Sequence, residues 1–263
     1  MLTIDSRIQK LITKEIELPA YLDGFNAIDG HWYPHPPCLV PLFLGHGASY
    51  KGIVKHFFCD RKETYAEYIL EHGHLSEIAR DTDQFITSIV LQMIMTKDGL
   101  THDIVRFCEQ VDYKYALEVD EFTVEYGDDP KEFGHLPYFD QNMPFKYLRT
   151  LSEYNGDFPS SIYTLNSPDI IQNSSLYEIA DAGMLSTIMD LPTWLLSTGD
   201  KNTQFYDYLN RGQFKEAWFT LNSKGWELKD LAVALNELKK KSGNRELEQL
   251  ADDWISKWQN SSS

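Results

Sequence analysis

Histidine and cysteine offer the most reaction chemistry in this 263-residue chain, and histidine is confined to its first half. All eight histidines precede residue 136, and His31, His35, Cys38, His46, His56 and Cys59 follow one another closely. Zinc takes such ligands. Yet no CxxC, no HExxH and no His pair matched to a CxxC occurs. His31 and His35 lie in a proline-rich stretch, so they are not one helical turn apart on a helix. Loop histidines with ordinary hydrogen bonds are expected, with no metal and no cofactor. Gly45-His46-Gly47 is too short to cradle a phosphate and has no lysine after it in the P-loop position. It reads as a turn between strands. Cys38 and Cys59 fall at strand ends, where cysteine acts as a small buried hydrophobe. No GxSxG is present, and paired carboxylates carry no information in so acidic a chain. These residues point to no catalytic centre, so the chain is not expected to be an enzyme. A metal-dependent hydrolase using His46 or His56 stays open as the alternative.

Charge says more. The 40 acidic residues outnumber the 24 basic ones, for a net charge of -16. Such a surface repels nucleic-acid phosphates, so no nucleic-acid partner is expected. It attracts a basic partner and speeds the encounter. The negative charge concentrates at Glu118, Asp120, Glu121, Glu125, Asp128, Asp129 and Glu132, interleaved with Phe122, Val124, Tyr126 and Phe133. One reading is a solvated face. The other is a docking patch for a basic protein, with Phe122 and Tyr126 as aromatic anchors inside a charged rim. The loop His31–Pro37, with Trp32 and Tyr33, is a second candidate contact surface.

These groups need elements to hold them. Ile4, Ile8, Leu11, Ile12 and Ile16 have helical spacing. Leu18-Pro19 starts a second short helix, with Leu22 and Phe25 on one face and a turn at Asp29-Gly30. Leu39 to Leu44 is an apolar run of strand length. Ile53 to Phe58 is β-branched and aromatic, a second strand. Tyr65 to Leu70 is strand or helix. Thr82 to Met95 is a helix, capped by Asp81 or Thr82. Ile104 to Phe107 extends as helix, whereas Glu118 to Tyr126 partly alternates, as an exposed strand does. Prolines at 130, 137, 144 and 159 make the next stretch loop-rich. A helix is then expected from Phe205, with Phe214 to Leu221 continuing it or starting another, and further helices at Leu228 to Leu238 and from Leu247; three helices joined by short turns suggest an antiparallel bundle.

The resulting fold class is α+β: an antiparallel sheet flanked by helices, followed by a C-terminal helical bundle. The change of pattern near Asn155 divides the chain into residues 1–155 and a helical region, 156–263. No apolar run reaches the roughly 18 residues of a membrane span, so no membrane association is expected. The first residues do not read as a basic-then-apolar leader, so no signal peptide is expected. The three scattered cysteines suit a reducing compartment, and a cytoplasmic protein is expected.

Leu18-Pro19-x-x-Leu22-x-x-Phe25-x-x-x-Asp29-Gly30 resembles the opening signature of the SUKH superfamily, with Asp29 where that family usually carries asparagine. Leu39 to Leu44 looks like the family's first strand, ending in a glycine turn. The Ile53 to Asp60 stretch and Ile78-Ala79-x-x-x-x-x-Phe85-Ile86 look like its later strand and the start of its closing helix. The resemblance covers about residues 1–100. It implies an antiparallel sheet flanked by helices. It also implies a binding module with no catalytic residues to carry over. Bacterial members are mostly immunity proteins that neutralise toxins, often nucleases; others are regulatory interaction proteins.

Overall fold

A computed structural model describes residues 4–60, 62–70, 74–140, 142–148, 162–163, 176–177, 200–223 and 225–261. Helix α1 (Ser6–Ile12) is capped by Asp5, whose carboxylate accepts from the Arg7 backbone. Strands β1 (Leu39–Leu44), β2 (Ser49–Val54), β3 (Thr64–Ile69) and β4 (His74–Ala79) form an antiparallel meander in that spatial order. Helices α2 (Thr82–Lys97), α3 (His102–Gln110) and α4 (Ala116–Tyr126) follow. A 3-10 helix spans Pro130–His135 and another Phe145–Tyr147. Beyond a short antiparallel pair, β5 (Ile162–Tyr163) and β6 (Leu176–Tyr177), come α5 (Lys201–Asn210), α6 (Phe214–Leu221), α7 (Leu228–Ser242) and α8 (Arg245–Ser261). The α+β class expected from the sequence is the one observed.

The meander is buried on both faces. Ile53, Tyr65 and Ile78 meet α1, α2, α3 and α4 in one apolar cluster. Tyr50, Val54, Ala66, Tyr68 and Leu75 point the other way and meet α5, α6, α7 and α8 in a second. A sheet covered on both sides needs runs without polar alternation. That is why Leu39 to Leu44 reads as continuously apolar. Pro41 is tolerated because β1 is an edge strand, and the pairing slips between Pro41 and Phe43. Gly52 is required opposite it: a Cβ there would stand 2.3 Å from the Val40 carbonyl oxygen.

Three expectations need correction. The Leu18–Phe25 segment is not a helix, although Leu22 and Phe25 are buried as a helix face would be. Gly24 adopts φ +74°, which turns the chain out of a helical path. Asn26 then bridges to Leu44 at the sheet edge. The second strand ends at Val54 and not at Phe58, whose φ of 66° is incompatible with an extended strand. Glu118 to Tyr126 is helical, not extended. The ambiguous Tyr65 segment is a strand, and β4, with Ser76 and Glu77 in it, has no distinct sequence signal.

The last four helices do not close on themselves. Asn222 accepts from the Cys38 backbone N–H at 2.7 Å, Trp254 Nε1 donates to the His35 carbonyl at 3.0 Å, and Lys55 bridges to Glu246 at 2.9 Å. The division expected near Asn155 lies outside the described residues. The helices after it share one apolar cluster with the sheet before it.

Candidate functional site

Helix α4 is built by a buried stripe. Val119 and Phe122 are buried, Ala116 and Tyr126 half-buried, all on the side that packs against α2 and α3. The Phe122 ring lies 5.2 Å from Tyr126 and 6.2 Å from Phe133. With that stripe inside, helical geometry puts the remaining residues in solvent. Glu118, Glu121 and Glu125 are exposed, and Asp128 and Asp129 continue the acidic surface past the helix end. From Lys114 to Glu132 seven acidic side chains face two basic ones.

Two large apolar groups share this acidic face. Val124 is 85% exposed and Leu117 59% exposed. They lie seven residues apart, about two helical turns, and therefore on one side. The apolar anchors anticipated from the sequence are placed differently. Phe122 is only 4% exposed and belongs to the core. Tyr126 is half-buried, its ring stacked 5.0 Å from His135. A hydrogen bond to Glu125 raises its phenol above the ordinary pKa.

The acidic residues divide as well. Asp120 is half-buried beside the turn at Gly99, and its Oδ1 is buried without a hydrogen-bond partner among the described residues. Asp129 is engaged as a cap, accepting from the Lys131 backbone at 3.0 Å. Glu118, Glu121 and Glu125 are exposed along one flank of Leu117 and Val124, and Asp128 is exposed past the helix end. In the sequence Leu117 does not stand out, and Val124 reads only as part of an alternation. The signal that marks them is an apolar residue out of phase with the buried stripe of Val119 and Phe122.

The second candidate surface packs against the edge of the core. Trp32 lies 5.7 Å from the His35 ring and 5.8 Å from Trp254. The Tyr33 backbone donates to the Tyr50 hydroxyl at 2.7 Å. Both side chains are half-buried against the sheet and α8. They are therefore less exposed than Glu118, Glu121, Val124 and Glu125 on the outer face of α4.

The histidines are dispersed. His31 is exposed, His35 is buried, His46 Nδ1 lies 3.2 Å from Asp23, and His56 stacks 5.3 Å from Phe219. Among the described residues no group of three or more His, Cys, Asp or Glu is placed to hold a metal ion. Burial raises the Cys108 thiol to about 12, which keeps it protonated and a poor nucleophile. No helix among the described residues is long and apolar enough to cross a membrane. No protein-family model, curated protein or solved structure matches the chain.

Proposed function

We propose that this chain is a protein-binding module that docks a basic protein through the outer face of α4. The observation that supports it is the pair Leu117 and Val124, exposed apolar groups flanked by the exposed acidic residues Glu118, Glu121 and Glu125. Apolar groups beside charged ones are common in contact patches. The net charge of -16 favours a basic partner. The SUKH resemblance extends the reading to an immunity protein that neutralises a basic, nuclease-type toxin in the bacterial cytoplasm. A regulatory partner of the same charge would dock by the same physics.

The test is a paired capture from the native host. Wild-type protein should retain a basic protein that the Leu117→Ser/Val124→Ser variant loses, with affinity reduced about tenfold or more, as for anchor residues. Folding should be unaffected, because substitutions at exposed sites usually change stability by within about 0.5 kcal/mol. Neutralising these acidic residues and Asp128 (Glu118→Gln, Glu121→Gln, Glu125→Gln, Asp128→Asn) should slow association and flatten its salt dependence. Equal retention by wild type and both variants would leave the face of α4 as solvated surface.

A further inference from the structure

Two exposed tyrosines meet where the N-terminal end of α4 approaches the turn after the first 3-10 helix. Tyr115 and Tyr138 are 39% and 38% exposed, and their ring centroids stand 5.2 Å apart at 89°. Tyr113 backs the pair, 6.2 Å from Tyr115 and 6.4 Å from Tyr138. It is buried, and its hydroxyl is hydrogen-bonded to Thr87 Oγ1 at 2.9 Å. The inner tyrosine therefore belongs to the core, and the outer two face solvent. Tyr138 is held there against its backbone preference: its φ of 70° is left-handed, which a bulky aromatic residue rarely adopts. Gln84 fixes that turn from the core. It is fully buried, its side-chain N–H groups donate to the Tyr138 and Asn142 carbonyls at 2.9 and 2.7 Å, and its Oε1 accepts from the Arg80 backbone at 2.7 Å.

The charge beside this pair is negative. Asp81 and Asp83, at the start of α2, act on the Tyr138 hydroxyl against Arg7, and together with burial they hold its pKa above the ordinary value. Arg7 is already engaged, 3.2 Å from Asp5 and 2.7 Å from Asp83. Asp140, two residues on from Tyr138, and Glu118, three on from Tyr115, are exposed, against the exposed Lys114. A field that opposes a phenolate favours a cation.

We propose that Tyr115 and Tyr138 form a contact point for a guanidinium group, an arginine side chain of a basic partner lying against their exposed rings. A tyrosine face attracts a cation, and the planar guanidinium stacks on it and is less strongly hydrated than an ammonium. The inference goes beyond the reading of the outer face of α4, since it shares the basic partner but needs neither Leu117 nor Val124.

Amide NMR titration of the intact chain at low salt tests this, with a short peptide of alternating glycine and arginine and its lysine counterpart of equal charge. The arginine peptide should bind about threefold tighter, as for an exposed cation–π contact, with its largest shifts at the Tyr115 and Tyr138 amides. Tyr138→Gly should remove that preference and leave the affinity of the lysine peptide unchanged. Glycine accepts the left-handed backbone, so this variant should fold; Tyr115→Ala makes the same test by the other ring, and circular dichroism reports the folding of both. Tyr138→Phe should keep the preference, because the ring face remains. Leu117→Ser/Val124→Ser should keep it too, which separates this contact from the outer face of α4. Equal binding of the two peptides, shifts that avoid both tyrosines, or an arginine preference that survives in folded Tyr138→Gly or Tyr115→Ala would each overturn the assignment.

Discussion

Trp254→Ala is expected to lower the unfolding free energy by about 3–5 kcal/mol, the range for a buried large aromatic. Trp254 is 2% exposed and sits where α8 meets the loop that covers the sheet. Its ring faces Trp32 at 5.8 Å and His35 at 6.3 Å, and its indole N–H donates to the His35 carbonyl. Removing it opens a hole between two layers and leaves that buried carbonyl without its indole donor. Trp254→Phe separates the two effects. It keeps most of the packing and loses the hydrogen bond, for about 1–3 kcal/mol. Urea melts of both variants at neutral pH measure the difference. If Trp254→Ala costs under about 1 kcal/mol, α8 is not part of the core. The layered arrangement would then be wrong in its outer half.

That seam shows where sequence reasoning reaches its limit. Long periodic elements are legible because period and burial agree, as in α2, where Phe85, Ile89 and Met93 recur on one side and all are buried. The strand β1 is legible because both its faces are covered. Helix α4 misleads because Phe122, Val124 and Tyr126 recur at every second residue, the period of a strand. Val124 causes the false period, since it belongs to the solvent face and not to the stripe of Val119 and Phe122. The residue that breaks the local pattern is the one the docking proposal relies on, as expected where a surface has work besides folding. The Leu18–Phe25 segment misleads in the opposite way. Leu22 and Phe25 are buried at a three-residue step, but by a loop that Gly24 turns. Tyr115 and Tyr138 carry no joint signal until the turn that Gln84 holds is in place. His35 is read as a loop residue because α8, which buries it, is more than 200 residues away in the chain.

His35 makes the second large effect one of pH. Its Nδ1 lies 2.7 Å from the Tyr33 carbonyl, so that nitrogen carries the hydrogen and donates. Trp32, Tyr50 and Trp254 enclose the ring. Burial pushes its pKa down from 6.5 to about 4. The Tyr33 carbonyl and Asp253 oppose that shift, and Lys257 adds to it. Between those two pH values the unfolded chain holds a proton that the folded chain does not. Stability therefore rises with pH in this window and falls as pH drops from 6.5 toward 4. At about 1.4 kcal/mol per unit, the loss attributable to His35 approaches 3 kcal/mol at the lower end. His35→Asn keeps a donor for the Tyr33 carbonyl and removes the titration. Unfolding free energies of both proteins, measured in urea from pH 7.5 to pH 4, isolate the effect, because the carboxylates common to both cancel in the difference. The advantage of wild type over His35→Asn should shrink by about 3 kcal/mol across that range. A difference that stays constant with pH would mean that the folded protein accepts the proton freely and that the seam under α8 is open to water. Since His35 and Trp254 share this seam, the tryptophan near-UV signal should weaken together with stability as the pH falls.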